Sequence, residues 1–439
     1  MQKLKDLMQN LGIVGAGGAG FPSYAKLAEG ADLLLINGSE CEPLLYTDYV
    51  ILKNELSLVL SGISAVLSHT GIPKALVTVK EHTAKALGFE DGEKLDDKIF
   101  TRVLPDVYPI GDEVGLTYQA TGRLIKPGKL PITAGVIVYN VETMYNLGRA
   151  LRYNEPVTTK WLTVGGDIKN PTVIKVPLGT RIADIFERLD INVPESHTVI
   201  DGGPSMGKII NPRTYAVNKT TKGILILPNS SQAILSKITN EALAVKRAET
   251  ACCQCTRCTD MCPRNLLGYP LEPHKMVRTA MGVVEAIPEM VISATLCCGC
   301  GVCESLACNQ GISPRAVIDN YKKLLAKNKL RFDKDGEYSV SPEREYRMLP
   351  YKKWMSALGV ARFDVDTDFG GEMMDFSRVE LTLSRHIGIP SIPVVNDGDI
   401  VNEGDLIAKA ADGLSLPQHA SISGRVRLGT DKIIIDKVR

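Results

Sequence analysis

The chain lacks the features that identify several common classes of protein. Basic residues are not in surplus, because 51 lysines and arginines face 50 aspartates and glutamates, for a formal net charge of +1. A nucleic-acid-binding protein needs such a surplus to displace counterions from phosphate. No apolar run approaches the roughly 18–20 residues of a membrane span. The first residues, MQKLKDLMQNLG, lack the apolar stretch and cleavage site of a secretory signal. We therefore expect a soluble cytoplasmic protein that binds no nucleic acid and has no membrane span.

The cysteines restrict the possible functions of the protein more than any other residue type. Ten of the 11 cysteines lie between Cys252 and Cys308, and the other is Cys41. Without an export signal, disulfides are not expected, because the cytosol keeps thiols reduced. Ten thiols within one short segment indicate a metal centre.

The length of 439 residues suggests about three or four domains. Apolar runs at 33–36, 75–79 and 136–139, with a helical pattern between the first two, are typical of an α/β layer with a mostly parallel sheet. Later segments differ in their turn residues and charge. We predict an α/β domain at 1–155, an α+β module of short strands at 156–236, a helical domain with both cysteine clusters at 237–325, a charged connecting region at 326–375, and a module of short strands at 376–439.

The cysteines repeat the spacing of bacterial ferredoxins. Cys252, Cys255 and Cys258, followed by Cys262 and a proline, give C-x2-C-x2-C-x3-C-P. Three thiolates on one tight loop hold three corners of a cubane, and the fourth cysteine binds the other cluster in two-cluster proteins. The second run repeats the first two spacings, and its last cysteine follows after four residues without a proline. The second run consists of Cys297, Cys300, Cys303 and Cys308.

We therefore expect two [4Fe-4S] clusters with crossed ligation. The predicted ligands are Cys252, Cys255, Cys258 and Cys308 for one cluster, and Cys262, Cys297, Cys300 and Cys303 for the other. Zinc is the alternative, since paired C-x2-C motifs also build zinc ribbons, although these do not place three cysteines within seven residues twice. Cys253 and Cys298 are left over, and either could replace its neighbour as a ligand.

A glycine-rich loop lies near the N-terminus. Gly15, Gly17 and Gly20 satisfy G-x-G-x-x-G, and Gly18 makes four glycines in six residues. A Rossmann turn should follow a strand, but too few apolar residues precede this loop for one. Because glycine loses more conformational freedom on folding than other residues, close approach by a ligand or a second backbone is expected. Backbone N–H groups and a following helix would face a phosphate. The alternative is a turn without a ligand.

Four motifs occur in an order that resembles one family of redox proteins. GAGGAGFPSYAK, NGSECEP, YPIGDE and YNVETM follow one another as in the flavin-binding subunit of respiratory complex I and in its relative from the Rnf complex, RnfC. The two ferredoxin-type clusters and the C-terminal segment HIGIPSIPVVNDGDIVNEGD are most similar to the cobalamin reductases of propanediol-utilisation microcompartments. This resemblance implies a Rossmann-like flavin-binding domain, a β-grasp module of the soluble-ligand-binding type (SLBB), a two-cluster ferredoxin-like domain and a barrel-sandwich module.

The resemblance also implies an FMN site and a dinucleotide site. The residues carried over for FMN are Gly15, Gly17, Gly18, Gly20, Lys26, Asn37, Glu40, Cys41, Tyr108, Gly111, Asp112, Asn140 and Thr143. For NADH, Phe21 would stack on a ring, and Glu42 and Glu113 would engage the dinucleotide. Two positions depart from the complex I pattern, since Ala16 replaces an arginine and Ser39 an aspartate.

These parts predict a flavin and iron–sulfur reductase in which the cofactors carry the chemistry and no side chain acts as a nucleophile. The resemblance implies NADH as the donor and cobalamin as the acceptor, and thus an NADH-dependent cobalamin reductase. A corrinoid adenosyltransferase and shell proteins are the implied partners, and the lumen of a bacterial microcompartment is an implied location. The first alternative is an electron relay that resembles RnfC and docks to a ferredoxin, a flavodoxin or a membrane complex. The second is a Rossmann dehydrogenase with structural zinc.

Overall fold

A parallel sheet forms the centre of the first module of the structure, a computed structural model that describes residues 1–384 and 386–438. Its strands follow the order β3-β4-β2-β1-β6, and only β3 runs antiparallel. The elements are α1 (Gln2–Asn10), β1 (Leu33–Asn37), α2 (Thr47–Thr70), β2 (Ala75–Lys80), α3 (Glu81–Leu87), β3 (Lys94–Asp96), β4 (Ile99–Leu104), β5 (Val107–Tyr108), α4 (Glu113–Thr121), β6 (Val136–Asn140) and α5 (Val141–Tyr153). The predicted α/β layer is confirmed.

Helices cover both faces of this sheet. Leu34 and Ile36 of β1 belong to a core shared with α2 and α5. Leu33 and Leu35 belong to a second core with Leu116 of α4 on the opposite face. Because side chains alternate along a strand, a strand that is buried on both faces is apolar at every position. The unbroken apolar run of β1 therefore reflects its central place in three layers.

The long helix α2 belongs to the core of the first module. Among the helices in the described ranges, it alone is long and apolar enough, by length and composition, to cross a membrane. Half of its most apolar window is buried inside the protein, and its Gly62 and the Gly148 of α5 allow the two backbones to meet. A Cβ on either glycine would collide with a carbonyl of the other helix, Met144 or Leu58. A core helix passes the same length and hydropathy test as a membrane span.

A mixed sheet forms the second module. Its strands follow the order β10-β9-β11-β7-β8, with β11 parallel to β7 and the other pairs antiparallel. Ile182 and Ile185 of its helix pack on Leu162 and Ile174 of the sheet. The elements are β7 (Thr159–Gly166), β8 (Thr172–Pro177), α6 (Ile182–Arg188), β9 (His197–Asp201), β10 (Lys208–Ile209) and β11 (Gly223–Pro228). This agrees with the predicted α+β character.

The third module is helical and carries both cysteine runs in loops and in the short helical turns that follow them. Met276 of α11 and Ile318 of α13 are fully buried in one of its cores, and Val277 and Val317 are buried in the other. The helices are α7 (Gln232–Ile238), α8 (Glu241–Ala251), α9 (Arg257–Asp260), α10 (Pro263–Leu266), α11 (Pro273–Ala280), α12 (Pro288–Ile292) and α13 (Pro314–Lys327).

The region 326–375, expected to be connecting structure of low definition, is partly ordered into elements that join the modules. Its elements are α14 (Arg344–Arg347), β12 (Leu349–Pro350), α15 (Tyr351–Leu358) and β13 (Phe369–Glu372). β12 pairs antiparallel with β5 of the first module, and β13 adds a parallel edge strand beside β8 of the second. The expectation was wrong because the charged composition of this region conceals two strands whose partners are distant in sequence.

The C-terminal module consists of short strands, as predicted. One sheet has the order β14-β20-β19-β16 and another the order β15-β17-β18. The strands are β14 (Arg378–Thr382), β15 (Ile392–Pro393), β16 (Ile400–Val401), β17 (Leu406–Lys409), β18 (Gln418–His419), β19 (Gly424–Leu428) and β20 (Lys432–Asp436). The Ile387 N–H donates to the Gly20 carbonyl at 2.8 Å, so this module contacts the glycine-rich loop.

Lys219 ties three modules together and predicts a pH dependence of stability. Its ammonium donates to the carbonyls of Gly12 at 2.8 Å and of Pro417 at 3.3 Å. Burial lowers the pKa of Lys219 to about 7. The unfolded chain keeps this proton up to its ordinary pKa of about 10.4, so it binds more protons than the folded chain between the two values. The contribution of Lys219 to stability therefore increases as the pH rises from 7 to 10.

We expect the thermal midpoint of Lys219→Met to rise less between pH 7 and pH 9.5 than that of the wild type, by about a few degrees. Differential scanning fluorimetry across this range measures the difference. Lys169→Met, at an exposed position of the same module, serves as the control and should follow the wild type. Parallel profiles for all three proteins would show that Lys219 keeps its proton throughout.

Candidate cofactor sites

The glycine loop, residues 15–20, lies beside the carboxyl end of β6. The Ala16 N–H donates to Thr143 Oγ1 at 3.1 Å. A Cβ added to Gly17 would lie 3.5 Å from Asn140 Cβ. Asn140 caps α5 by accepting a hydrogen bond from the N–H group two residues on. The loop is therefore held at the N-terminus of this helix of 13 residues.

The other side of the glycine loop is open. Gly18 has φ +103°, and a Cβ added there would meet nothing within 4 Å. Gly17 and Ala19 are also exposed, and Phe21 is partly exposed. Exposed backbone next to a helix N-terminus provides N–H donors and a positive dipole for a phosphate. This part of the site fits the phosphate of FMN.

The loop after β1 meets the loop that precedes α4. Asn37 Nδ2 donates to the Gly111 carbonyl at 2.9 Å, and the Ser39 N–H donates to Asn37 Oδ1 at 3.1 Å. A Cβ on Gly111 would lie 2.7 Å from the Ser39 carbonyl oxygen and 3.0 Å from Cys41 Sγ. Position 111 therefore requires glycine, because the two loops approach each other closely there. Asn37, Cys41 and Gly111 lie together, as expected from the resemblance.

Glu40 is held inside the protein at the start of α2. Its carboxylate accepts hydrogen bonds from the N–H groups of Thr47 at 3.2 Å and Asp48 at 3.0 Å. Lys222 Nζ lies 2.5 Å from Asp48 Oδ1 and 4.0 Å from Glu40 Oε1. Burial raises the pKa of Glu40 to about 7, with a further increase from the Asp48 charge and opposition from Lys222. In this arrangement Glu40 fixes a helix terminus.

Glu42 and Glu113, which the resemblance assigns to the dinucleotide, and Lys26, which it assigns to FMN, are engaged with protein groups. Glu42 accepts from the N–H groups of Ser205 at 2.9 Å and Met206 at 3.1 Å. Lys26 Nζ lies 3.2 Å from Glu113 Oε1 and donates to a β6 carbonyl at 3.0 Å. Burial raises the pKa of Glu42. A dinucleotide would have to displace these partners to reach Glu42 or Glu113.

Cysteine group A, defined as Cys252, Cys255, Cys258 and Cys308, lines a cavity of about 140 Å³. Cys255 is exposed, and the other three are partly exposed. Burial raises the pKa of Cys258 to about 12, and the charges of Cys308, Cys255 and Cys252 raise it further. The four thiols therefore face one another close to the surface.

Cysteine group B, defined as Cys262, Cys297, Cys300 and Cys303, lies deeper. Three of its members are buried, and Cys297 is partly buried. Burial raises the pKa of Cys262 to about 12, with a further increase from the Cys297 charge. Burial is also the largest cause of the raised pKa of Cys303, followed by charges that include Cys297, Cys262 and Cys258. Cys262 thus lies with the second run, and Cys258 lies near both groups.

Each group has a donor set that fits a [4Fe-4S] cluster, because four thiolates are what such clusters require. Cluster binding would deprotonate these thiols despite their high pKa, since thiolate is the metal ligand. In residues 1–384 and 386–438, no three His, Cys, Asp or Glu side chains converge on one ion. The thiolates of a cubane each bind a different iron.

The two remaining cysteines of the helical module differ in their exposure to solvent. Cys253 is exposed, and after the Arg257 N–H it helps to lower the pKa of Cys255. Cys298 is partly buried beside Arg264 and Asp112, and a hydrogen bond with Cys300 is the largest cause of its lowered pKa of about 7. Each keeps a contact with a member of its own run.

Group B touches the loop that precedes α4 in the first module. Tyr108 Oη donates to the Cys300 carbonyl at 2.8 Å, and Arg264 Nη2 lies 2.7 Å from Asp112 Oδ1. Tyr108 is 3% exposed, so solvent is excluded from this contact. Group B therefore lies between the first module and group A, which opens to solvent.

Several residues near these sites were not identified from the sequence. Asp48 and Lys222 form a buried ion pair across two modules, and no local spacing indicates which charges are buried. Trp354 stacks on Tyr108, with ring centroids 4.6 Å apart. One signal for α15 was present, because Tyr351, Trp354 and Leu358 recur at helical spacing and are buried.

Comparison with known families matches three parts of the chain. Residues 8–149 match the Nuo51 FMN-binding domain, residues 251–313 a 4Fe-4S dicluster domain, and residues 372–433 the RnfC barrel sandwich hybrid domain. These matches cover the glycine loop with the parallel sheet, both cysteine runs, and the C-terminal strands.

Curated relatives match over nearly the whole length. Cobalamin reductase PduS of Citrobacter freundii is 36% identical over 437 residues, which cover 99% of this chain and 96% of the relative. Its namesake from Salmonella typhimurium is 35% identical over 98% and 96%. One subunit of the Na(+)-translocating ferredoxin:NAD(+) oxidoreductase complex of Acetobacterium woodii is 31% identical over 60% and 58%. Among solved structures, an air-oxidised NAD+-reducing [NiFe]-hydrogenase chain is similar at TM-score 0.45 and 20% identity, covering 79% and 66%.

Proposed function

The chain belongs to the family of the PduS cobalamin reductases, and we propose on this premise that it passes electrons from NADH through FMN and two [4Fe-4S] clusters to cobalamin. It is an oxidoreductase with an FMN-binding domain, a 4Fe-4S dicluster domain and a barrel-sandwich domain, and it transfers electrons by flavin and iron–sulfur chemistry. The observation that carries the proposal is the hydrogen bond from Tyr108 to the Cys300 carbonyl, since it joins the two cofactor modules.

Bound FMN would accept a hydride as a pair of electrons and release them singly to clusters that each carry one. The chain's own residues bind and orient these groups. In this proposal the glycine loop, Asn140 and Thr143 hold the phosphate end, and Asn37, Cys41, Tyr108 and Gly111 bound the flavin. Phe21 stacks on a nicotinamide or adenine ring, and the charged pair Lys26 and Glu113 opens to admit the dinucleotide. Groups A and B hold the clusters by crossed ligation.

The proposal extends to fold subclass, partners and location. A parallel sheet with helices on both faces supports a Rossmann-like assignment for residues 1–155. A mixed sheet with one packed helix supports a β-grasp module of the soluble-ligand-binding type for residues 156–236. We propose a cytoplasmic protein enclosed in a bacterial microcompartment, with a corrinoid adenosyltransferase and shell proteins as partners. Relatives named cobalamin reductase PduS support this extension.

A second candidate is an electron relay that accepts electrons from a reduced ferredoxin or flavodoxin. Two observations favour it. Glu42 is bound to Ser205 and Met206, and Glu113 is paired with Lys26, so the acidic groups proposed for NADH have other partners. A carrier protein would deliver electrons without displacing these contacts.

Anaerobic visible spectroscopy of the purified protein decides between the two candidates. We expect a brown-yellow spectrum that NADH bleaches, followed by reduction of added cob(III)alamin. Bleaching by reduced ferredoxin but not by NADH would establish the relay instead. A colourless protein with bound zinc and no iron would overturn both.

The glycine loop provides a matched pair of variants for the flavin. Gly18 at φ +103° and Gly30 at φ +89° both leave open space for a side chain, so valine strains the backbone at each by about 1–3 kcal/mol. In Gly18→Val the branched side chain also fills the space beside the helix N-terminus. We expect its FMN affinity to fall at least about tenfold, and that of Gly30→Val to stay unchanged. FMN fluorescence titration measures both, and equal losses would place the flavin elsewhere.

A further inference from the structure

The residues 349–358, here called the strap, connect the first module (α1 to α5), here called the flavin module, to cysteine group B. β12 of the strap pairs with β5, with Leu349 opposite Tyr108. The Tyr351 N–H then donates to the Asp106 carbonyl at 2.9 Å. Leu349, Trp354 and Tyr108 share one buried core with Cys300. The strap therefore packs against the Tyr108–Cys300 contact.

Trp354 is the centre of this packing. Its side chain is 0% exposed, and its ring lies 4.6 Å from the Tyr108 ring at an interplanar angle of 13°. Its Nε1–H donates to Ser205 Oγ at 3.0 Å. Stacking on the face of the indole and a hydrogen bond from its Nε1–H edge leave the ring one orientation, and Tyr108 is held against it.

Ser205 extends the same contact to the cysteine loop. Its N–H donates to Glu42 at 2.9 Å. Its carbonyl accepts from Arg315 at 2.9 Å, and Arg315 also donates to the Gly299 carbonyl at 3.1 Å. Thus Trp354 contacts Tyr108 and Ser205 directly, and it is linked to the cysteine loop through Ser205 and Arg315.

We propose that Trp354 is a positioning residue for electron transfer, which sets the contact between Tyr108 and Cys300 through which electrons leave the flavin module. The inference rests on the proposed flavin-to-cluster transfer. In that step the flavin loses one electron and a cluster gains it, and no bond forms or breaks. Trp354 touches neither cofactor in this role and acts through Tyr108.

Light-driven reduction tests the inference without NADH or cobalamin. With EDTA as the donor, illumination reduces the flavin of the holoprotein, and the absorbance of the clusters reports the electrons that follow. Because small displacements slow a positioned reaction strongly, we expect Trp354→Leu to slow the second step at least about tenfold. Trp354→Phe, which keeps the stacked ring, should restore most of the rate. Trp161→Phe alters the chain's other tryptophan, also buried, and should match the wild type.

Hydrogen exchange gives a readout that needs no turnover. In Trp354→Leu the amides of 105–113 and 203–206 should exchange faster, while those of β1 should not change. Should the leucine variant fail to fold, Tyr108→Phe removes only the hydroxyl that bonds Cys300 and should slow the same step.

Three results overturn the inference: wild-type transfer in Trp354→Leu, equal slowing in Trp161→Phe, or loss of clusters and flavin in proportion to the lost rate. If light reduces the wild-type protein but NADH does not, NADH is not the donor. The light-driven rates still test the role of Trp354 in that case. Absence of flavin-to-cluster transfer in the wild type would refute both.

Discussion

Replacing Cys262 by serine should abolish the cluster of the second cysteine run and leave the cluster of its own run in place. The reason is that Cys262 lies with Cys297 and Cys303: besides burial, the Cys297 charge raises the pKa of both Cys262 and Cys303. The first run instead surrounds Cys258 together with Cys308. A [4Fe-4S] cluster that loses one of four thiolates is weakly held.

Iron analysis and electron paramagnetic resonance of anaerobically purified protein measure this outcome. Iron should fall from about eight to about four atoms per chain in Cys262→Ser, as expected when one of two four-iron clusters is lost. The remaining signal should match that of Cys300→Ser and differ from that of Cys258→Ser. Cys253→Ser removes an exposed thiol beside a ligand and should keep all the iron. A Cys262→Ser spectrum that instead matches Cys258→Ser would show that each run ligates its own cluster.

The parts of this site that the sequence predicted are those in which a few neighbouring residues determine the structure. The cysteine spacing sets three ligands on one loop. The apolar run 33–36 is buried because a parallel strand between two helical layers has no polar face. The glycine loop lies beside the carboxyl end of β6. The other residues expected around it were identified only through the resemblance to a family.

The remaining parts depend on contacts between residues that are distant in sequence. Trp354 stacks on Tyr108 across 246 positions, the difference of their residue numbers, and its bond to Ser205 crosses 149. β12 has only two residues, so its identity as a strand comes from its partner β5. The charged composition of 326–375 describes its exposed side chains and gives no indication of the buried ones that join the modules.

The identity of the buried charged residues was the second feature that could not be predicted from the sequence. Lys160 is 2% exposed and lies on β7, and its partner Glu142 is 0% exposed in the first turn of α5. An alternating strand predicts which residues face inward but not that one of them is a lysine with a partner. The pair matters to the flavin site because Glu142 lies between Asn140 and Thr143.

Lys160→Met should therefore loosen the N-terminus of α5. The variant leaves the Glu142 carboxylate buried, with the Trp161 N–H at 3.2 Å as its remaining hydrogen-bond donor. Removing one partner of a buried ion pair costs about 3–5 kcal/mol, because the other charge stays out of water. We expect a loss of this size in the free energy of opening of α5, measured by hydrogen exchange of its amides. FMN should also dissociate more readily, because Asn140 and Thr143 move with the helix.

The double variant Lys160→Met with Glu142→Gln separates charge from packing. Glutamine keeps an acceptor for the Trp161 N–H and carries no charge, so the double variant should recover most of the loss seen in Lys160→Met. With the single variant Glu142→Gln measured as well, the coupling energy of the pair is the loss in the double variant minus the sum of the two single losses. If the double variant is no more stable than Lys160→Met, the lysine contributes through its packed methylene groups. In that case the flavin site would depend on the shape of the β7–α5 contact, and neutralising Glu142 would leave FMN binding unchanged.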